Sequence, residues 1–164
     1  MVDWQQTGAE SAPVLAALWA RAAAHRDGVP LPASAPADLV DLLQDRLTGP
    51  EALAVIGRVA GQPVACGMAT PLDGAPAEPR GAHLSLLAVE PARWGEGLGR
   101  AVLGRLEEDL RAAGYARGEL HVLSANSRAR ALYESAGWVL LREDPPHRDG
   151  PQVVYGKDRL TVPG

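Results

Sequence analysis

The sequence predicts a mixed α/β fold in a single domain, residues 1–164. Three observations point there. Strand-like runs alternate with amphipathic helix patterns along the second half, which implies parallel pairing through helical crossovers. A chain of 164 residues is long enough for one domain with a substantial core, and it carries no internal repeat. The hydrophobic fraction is 46%, yet aromatics supply 4% and Phe is absent, so Ala, Leu and Val must fill that core.

The elements follow in order. Residues 2–6 form a weak first strand. Ser11 with Pro13 opens a helix that carries Val14, Leu15, Leu18 and Trp19 on one face and ends near Arg26, ahead of Gly28 and Pro30. Ser34 and Pro36 open a second helix, with Leu39, Val40, Leu43 and Leu47 as its stripe and Gly49 past its end. ALAVIGRV (52–59) and VACGMAT (64–70) read as strands joined by a turn at AGQP, and the Pro/Gly-rich stretch 71–82 reads as a loop. A strand over 83–89, a glycine-rich turn and a helix from about 97 to 113 come next. Leu98, Val102, Leu106, Leu110 and Ala113 line one side of that helix and charges line the other. A strand at 118–123 leads to a helix that Asn126 or Ser127 can cap and that stops at Gly137. Two final strands lie near 138–142 and 152–156, with a loop over 142–151.

Charge and cysteine content narrow the function classes. The net charge is −4 with both signs interspersed, which leaves no basic patch for nucleic acid or a membrane surface. No apolar N-terminal segment reads as a signal peptide and no apolar run is long enough to span a bilayer, so a cytoplasmic protein is expected. Cys66 stands alone and cannot close an internal disulfide, and no Cys/His spacing reads as a metal site.

The stretch RWGEGLGR (93–100) sets Gly95, Gly97 and Gly99 between an apolar strand and an amphipathic helix. A plain strand-to-helix turn is one reading. The dinucleotide fingerprint GxGxxG fits poorly, because Arg100 occupies the third glycine position and EPARW separates strand from glycines. Glu119, at a tempting distance downstream, falls inside the next strand. What remains is the physics of phosphate loops: glycines let successive N–H groups point into one concavity, and a helix start adds its positive end. A pyrophosphate suits such a place.

LAVEPARWGEGLGRAVL resembles the acyl-CoA-binding motif of the GNAT superfamily of N-acetyltransferases, V-x-P followed by a spacer and Q/R-x-x-G-x-G/A. Val89-Glu90-Pro91 and Gly97-Leu98-Gly99 match, with Trp94 at the Gln/Arg position. LHVLSANSRARALYESAGW resembles the family's second block at Leu120, Val122, Asn126, Ala129, Leu132, Tyr133, Gly137 and Trp138. Together the two blocks span roughly residues 83–138. The resemblance implies an acyl-CoA N-acyltransferase fold: a central mixed sheet flanked by helices, with parallel fourth and fifth strands that splay to admit acetyl-CoA. Its pyrophosphate would rest on the N–H groups of Trp94, Gly95, Glu96, Gly97, Leu98, Gly99 and Arg100. Its pantetheine would pair with the backbone of Leu87, Ala88 and Val89, and a freed N–H near Leu87 would polarise the thioester carbonyl. Asn126 would combine a capping role with a cofactor contact.

The resemblance also assigns chemistry. Tyr133 shares a helix face with Ala129, Leu132 and Ala136, where an aromatic is ordinarily core; the family role is to protonate the departing CoA thiolate. A lysine-like amine is protonated at pH 7 and must lose that proton before it attacks. Family members often use a Glu early in the fourth strand or midway along the fifth, and those positions here are His83 and His121. Imidazole ordinarily titrates near neutrality. His83 shares a strand face with Ser85, Leu87 and Val89, and His121 leaves the apolar face of Leu120 and Val122. Glu90 and Glu119 read as solvated, and His25 and His147 read as loop residues able to meet substrate. The implied activity is transfer of an acetyl group from acetyl-CoA to a primary amine of a small molecule or peptide, directly within a ternary complex and without metal. Neither motif holds a cysteine, which disfavours a covalent acetyl-enzyme. A non-catalytic acyl-CoA-binding or interaction module of the same fold is the alternative. The expected partners are acetyl-CoA and an amine-bearing acceptor, not nucleic acid or membrane, and a homodimer is compatible with this reading.

Overall fold

A computed structural model describes residues 1–74 and 78–160. Part of the predicted loop 71–82, residues 75–77, lies outside them, as do the last four residues. The strands are β1 (Asp3–Thr7), β2 (Leu53–Val59), β3 (Gln62–Pro71), β4 (Gly81–Val89), β5 (Arg117–Leu123), β6 (Val139–His147) and β7 (Gly150–Lys157). The helices are α1 (Ala12–Asp27), α2 (Ala37–Thr48), α3 (Leu98–Ala112) and α4 (Ser127–Ser135). The strands hydrogen-bond in the order β1-β2-β3-β4-β5-β7-β6, a mixed sheet in which β4 runs parallel to β5. The predicted element order and the mixed α/β class are therefore what the chain adopts.

The chain divides into two compact units, Met1–Thr70 with Leu86–Leu106, and Pro71–Ser85 with Glu107–Gly164. In the first unit β1, β2 and β3 form an antiparallel meander, with Gln5 opposite Ile56 and Ile56 opposite Cys66. Its core joins Leu15 and Leu18 of α1, Leu43 and Leu47 of α2, Ile56, Met68, Leu86 and Ala88. These are the stripes that the 3.6-residue spacing marked, so burial of those faces rather than propensity holds the helices down.

In the second unit β4 runs parallel to β5 from Gly81–Leu84 against Arg117–Leu120. β5 then continues to Leu123 along β7. The Asn126 side chain accepts the Ala129 N–H at 3.2 Å and so caps α4, as expected from the sequence. At its other end Trp138 N–H donates to Tyr133 O (2.9 Å) and Gly137 N–H to Glu134 O (3.1 Å). That is a Schellman ending, with Gly137 at φ +91°, and it sets Trp138 edge-on to Tyr133 with ring centres 6.4 Å apart. The Gly-aromatic pair of the second sequence block is therefore a helix stop and its hydrophobic clasp. Lys157 Nζ, which donates to Glu107 Oε1 and Ala136 O at 2.8 Å each, ties β7 to both α3 and the end of α4.

One prediction fails here. Most of the expected loop 142–151 is strand, because β6 and β7 extend into it and leave a turn at Arg148 and Asp149. Pro145 and Pro146 ordinarily break strands, but β6 lies at the edge of the sheet, and the register shifts between Asp144 and His147. Proline is tolerated at edges and bulges because no ladder bond is lost there. His147 accordingly belongs to a strand, and His25 to α1, rather than to loops.

Candidate active site

The first unit holds the glycine loop. β4 buries Leu84, Leu86 and Ala88 and turns His83, Ser85, Leu87 and Val89 to its half-buried face, as the alternation required. After Val89 the chain makes a short 3-10 turn over Pro91–Arg93 and then enters α3. Gly95 and Gly97 sit at φ +91° and +83°, a region that side chains strongly disfavour. A Cβ built at either position would meet nothing within 4 Å, so the glycines serve the backbone path and not a tight internal contact. Gly99 already lies in the first turn of α3. The first helical bond is Ala101 N–H to Gly97 O at 3.1 Å, so the amides of Leu98, Gly99 and Arg100 form the helix's donor-rich opening turn.

Two of the expected amides point elsewhere. Trp94 N–H donates to Pro91 O (3.2 Å) and Glu96 N–H to Arg93 O (3.3 Å). The Trp94 indole is also turned inward: its Nε1–H donates to Val89 O at 2.9 Å and its ring meets His25 edge-on at 4.7 Å. Trp94 thus braces the loop against the end of β4. Glu90 is not merely solvated either, because its carboxylate takes Arg21 at both oxygens, Nε at 3.0 Å and Nη2 at 2.5 Å.

The second unit holds the titratable groups. His83 Nε2 lies 3.0 Å from His121 Nδ1, and His121 Nε2 lies 2.7 Å from Asp144 Oδ2. Ser85 Oγ is 3.3 Å from His83 Nδ1 and equally close to His83 O. The two predicted histidines therefore meet, within a chain whose other members the sequence reading did not single out as site residues. Asp144 was hidden in the segment read as a loop. Glu119 is held by Arg142 at 3.1 Å and Arg117 at 3.6 Å rather than left in water.

Tyr133, also in this unit, is buried on α4 with Tyr155 and Trp138 around it, ring centres 6.2 and 6.4 Å away. Burial alone pushes its phenol up to about 12, so it keeps its proton across the neutral range. Cys66 is fully buried on β3, and burial pushes its thiol up to about 12 as well. A thiol held that way is a poor nucleophile. Iodoacetamide at neutral pH is expected to leave Cys66 unmodified in the folded protein and to label it in urea, read by mass spectrometry. Labelling of the native protein at the rate of a free thiol would restore a covalent route. Among the described residues no group of three or more His, Cys, Asp or Glu is arranged to hold a metal, and no helix is long and apolar enough to cross a membrane.

The family model described as the Acetyltransferase (GNAT) family matches residues 19–138. A mycothiol acetyltransferase of Beutenbergia cavernae is 51% identical over 57 residues, 35% of this chain. The match spans 19% of that curated relative. The ribosomal-protein-S18-alanine N-acetyltransferase of Escherichia coli superimposes with a TM-score of 0.75 at 22% identity, over 100% of this chain and 97% of its own. An acetyltransferase from Thermus thermophilus gives 0.71 at 25% identity, with 96% of each chain covered. A Salmonella typhimurium protein solved with its cofactor acetyl-CoA gives 0.74 at 16% identity, over 100% of this chain and 96% of its own, a likeness of fold.

Proposed function

The chain belongs to the acetyltransferase (GNAT) family, and from that premise we propose that it transfers the acetyl group of acetyl-CoA to a primary amine of a small molecule or peptide. One observation carries the reading above the others: a glycine loop at positive φ opens directly into the first turn of α3. Such a turn offers several amides and a positive dipole end to a pyrophosphate. In this proposal the amides of Gly95, Gly97, Leu98, Gly99 and Arg100 take the pyrophosphate, while Trp94 and Glu96 shape the loop. The backbone of Leu87, Ala88 and Val89 takes the pantetheine arm, and the amide near Leu87 polarises the thioester carbonyl. Asn126 adds a cofactor contact beyond its cap, and Tyr133 donates to the departing sulfur.

His83 and His121 act together as the base that frees the acceptor amine, which then attacks the thioester directly in a ternary complex. The buried state of Cys66 favours this direct route. The non-catalytic alternative leaves the paired histidines without a purpose and is not favoured. The proposed setting is the cytoplasm, within one catalytic domain over residues 1–164. The proposed assembly is a homodimer. Val139, Leu140 and Leu141 support it, since they lie on edge strand β6 and are 62%, 46% and 50% exposed.

The test is turnover of acetyl-CoA across a panel of amines, followed by a pH profile with the best acceptor. A histidine base makes kcat/KM rise with pH through the neutral range, whereas a carboxylate base places that limb lower and a lone substrate amine places it higher. His83→Gln and His121→Gln fill similar space but cannot take a proton, so each is expected to displace the limb and slow turnover. Full rate with an unchanged limb in both variants would remove the histidines from the mechanism. Binding of acetyl-CoA without turnover of any amine would favour the module.

A further inference from the structure

Resting on the acetyltransferase reading, we propose that Asp144 sets the tautomers of both imidazoles, so that His83 Nδ1, beside Ser85, is the atom that accepts the proton. Hydrogen-bond direction fixes the tautomers. An ionised carboxylate can only accept hydrogen bonds, so the 2.7 Å contact with Asp144 requires a hydrogen on His121 Nε2. A neutral imidazole carries one N–H, which leaves His121 Nδ1 with a lone pair. His83 Nε2, 3.0 Å away, must then be the donor. His83 Nδ1 is left with its own lone pair, 3.3 Å from Ser85 Oγ. The carboxylate at one end thereby decides which nitrogen is basic at the other.

Proton accounting follows the same line. The acceptor's N–H bond breaks and a new N–H bond forms at His83 Nδ1, directly or with the Ser85 hydroxyl passing its own proton on as it takes the acceptor's. His83 becomes an imidazolium. Its Nε2 proton can move to His121 Nδ1, which places the positive charge on the ring that is paired with Asp144. Charge moves away from the reacting amine without crossing water.

The charged groups around Asp144 and His121 come from β5 and β6. Arg142 Nε lies 3.9 Å from Asp144 Oδ1, and Arg142 Nη2 also holds Glu119, the residue opposite His83, which Arg117 binds in turn. From β7 the residues opposite His121 and Asp144 are Val154 and Gln152, which do not titrate. Asp144 is thus a positioning residue, acting on the acceptor through two rings.

Long-range 1H–15N correlation spectra of the full chain read imidazole tautomers without any substrate. Both rings are expected as Nε2–H tautomers once neutral; an Nδ1–H form of either overturns the proposal. In Asp144→Asn the amide can offer its NH2 group to His121 Nε2, so the Nδ1–H forms are expected to emerge. The kcat of that variant should fall on the order of tenfold or more, with KM for acetyl-CoA within about twofold and the pH limb displaced. Asp144→Glu, which keeps the carboxylate, should restore part of the rate, and circular dichroism separates either effect from misfolding. Wild-type tautomers and limb in a folded Asp144→Asn protein would also overturn the proposal. The spectra distinguish the two readings: native Nε2–H tautomers in a protein that turns over no amine would overturn the acetyltransferase reading and uphold the tautomer assignment.

Discussion

Valine at Gly97 is expected to lower CoA affinity by on the order of a hundredfold, which corresponds to about 2.7 kcal/mol. The size comes from the backbone. Gly97 sits at φ +83° as the residue whose carbonyl takes the first helical bond of α3. Forcing a β-branched residue into that region costs roughly 1–3 kcal/mol, enough to make the loop relax to another path. The space around the position is open, so crowding within the protein contributes nothing. Relaxation re-aims the amides of the opening turn, and donors that miss the pyrophosphate bind little. Calorimetry with CoA reads the loss. Gly104→Ala in the same helix, where a Cβ also meets nothing and φ is not positive, is the control and should leave affinity unchanged. Native affinity in a folded Gly97→Val protein would take the loop out of the site.

Replacing Tyr133 by Phe should cut kcat by about a hundredfold and leave KM for acetyl-CoA nearly constant. Phe keeps the packing against Trp138 and Tyr155 and deletes only the hydroxyl. The altered acidity refines what that hydroxyl does. With the phenol near 12 and an ordinary thiol near 8.5, complete proton transfer to a thiolate is uphill by roughly 5 kcal/mol. A short hydrogen bond to sulfur as its charge develops is the cheaper service, and it is made only as the bond to carbon breaks. The dependence on Tyr133 should therefore persist unchanged from neutral to mildly alkaline pH, because the phenol stays protonated throughout. Wild-type turnover in the Phe variant at both pH values would leave Tyr133 a core residue.

Much of this was readable in the chain because the signals were local. Asn126 and Gly137 announce a capped helix by side-chain chemistry and backbone handedness alone, and the alternation of β4 fixes which way His83 and Ser85 face. The glycines of 95–99 announced a loop running into a helix, but not that the Trp94 and Glu96 amides turn inward; that depends on the 3-10 turn at Pro91–Arg93, which spacing does not reveal. Asp144 was missed for a different reason. Its neighbours Pro145 and Pro146 argue against a strand unless the strand is at an edge, and edge position is a property of sheet order, which no window of sequence contains. The bond from His121 to Asp144 crosses 23 residues of chain and arises from pairing order, β5 with β7 with β6.

The two prolines have a further effect, on self-association. An open sheet edge can template endless addition of strands, the route to fibrils. Positions 145 and 146 bring no amide hydrogen to either side of β6. A strand arriving from outside can therefore gain a ladder along Val139–Leu141 but must stop short of the turn. In the homodimer proposed above, a contact that short suits two copies closing on one another about a twofold axis rather than a growing stack. Replacing Pro145 and Pro146 with residues that carry an N–H would lift that brake, and slow polymerisation of the folded protein is the expected result.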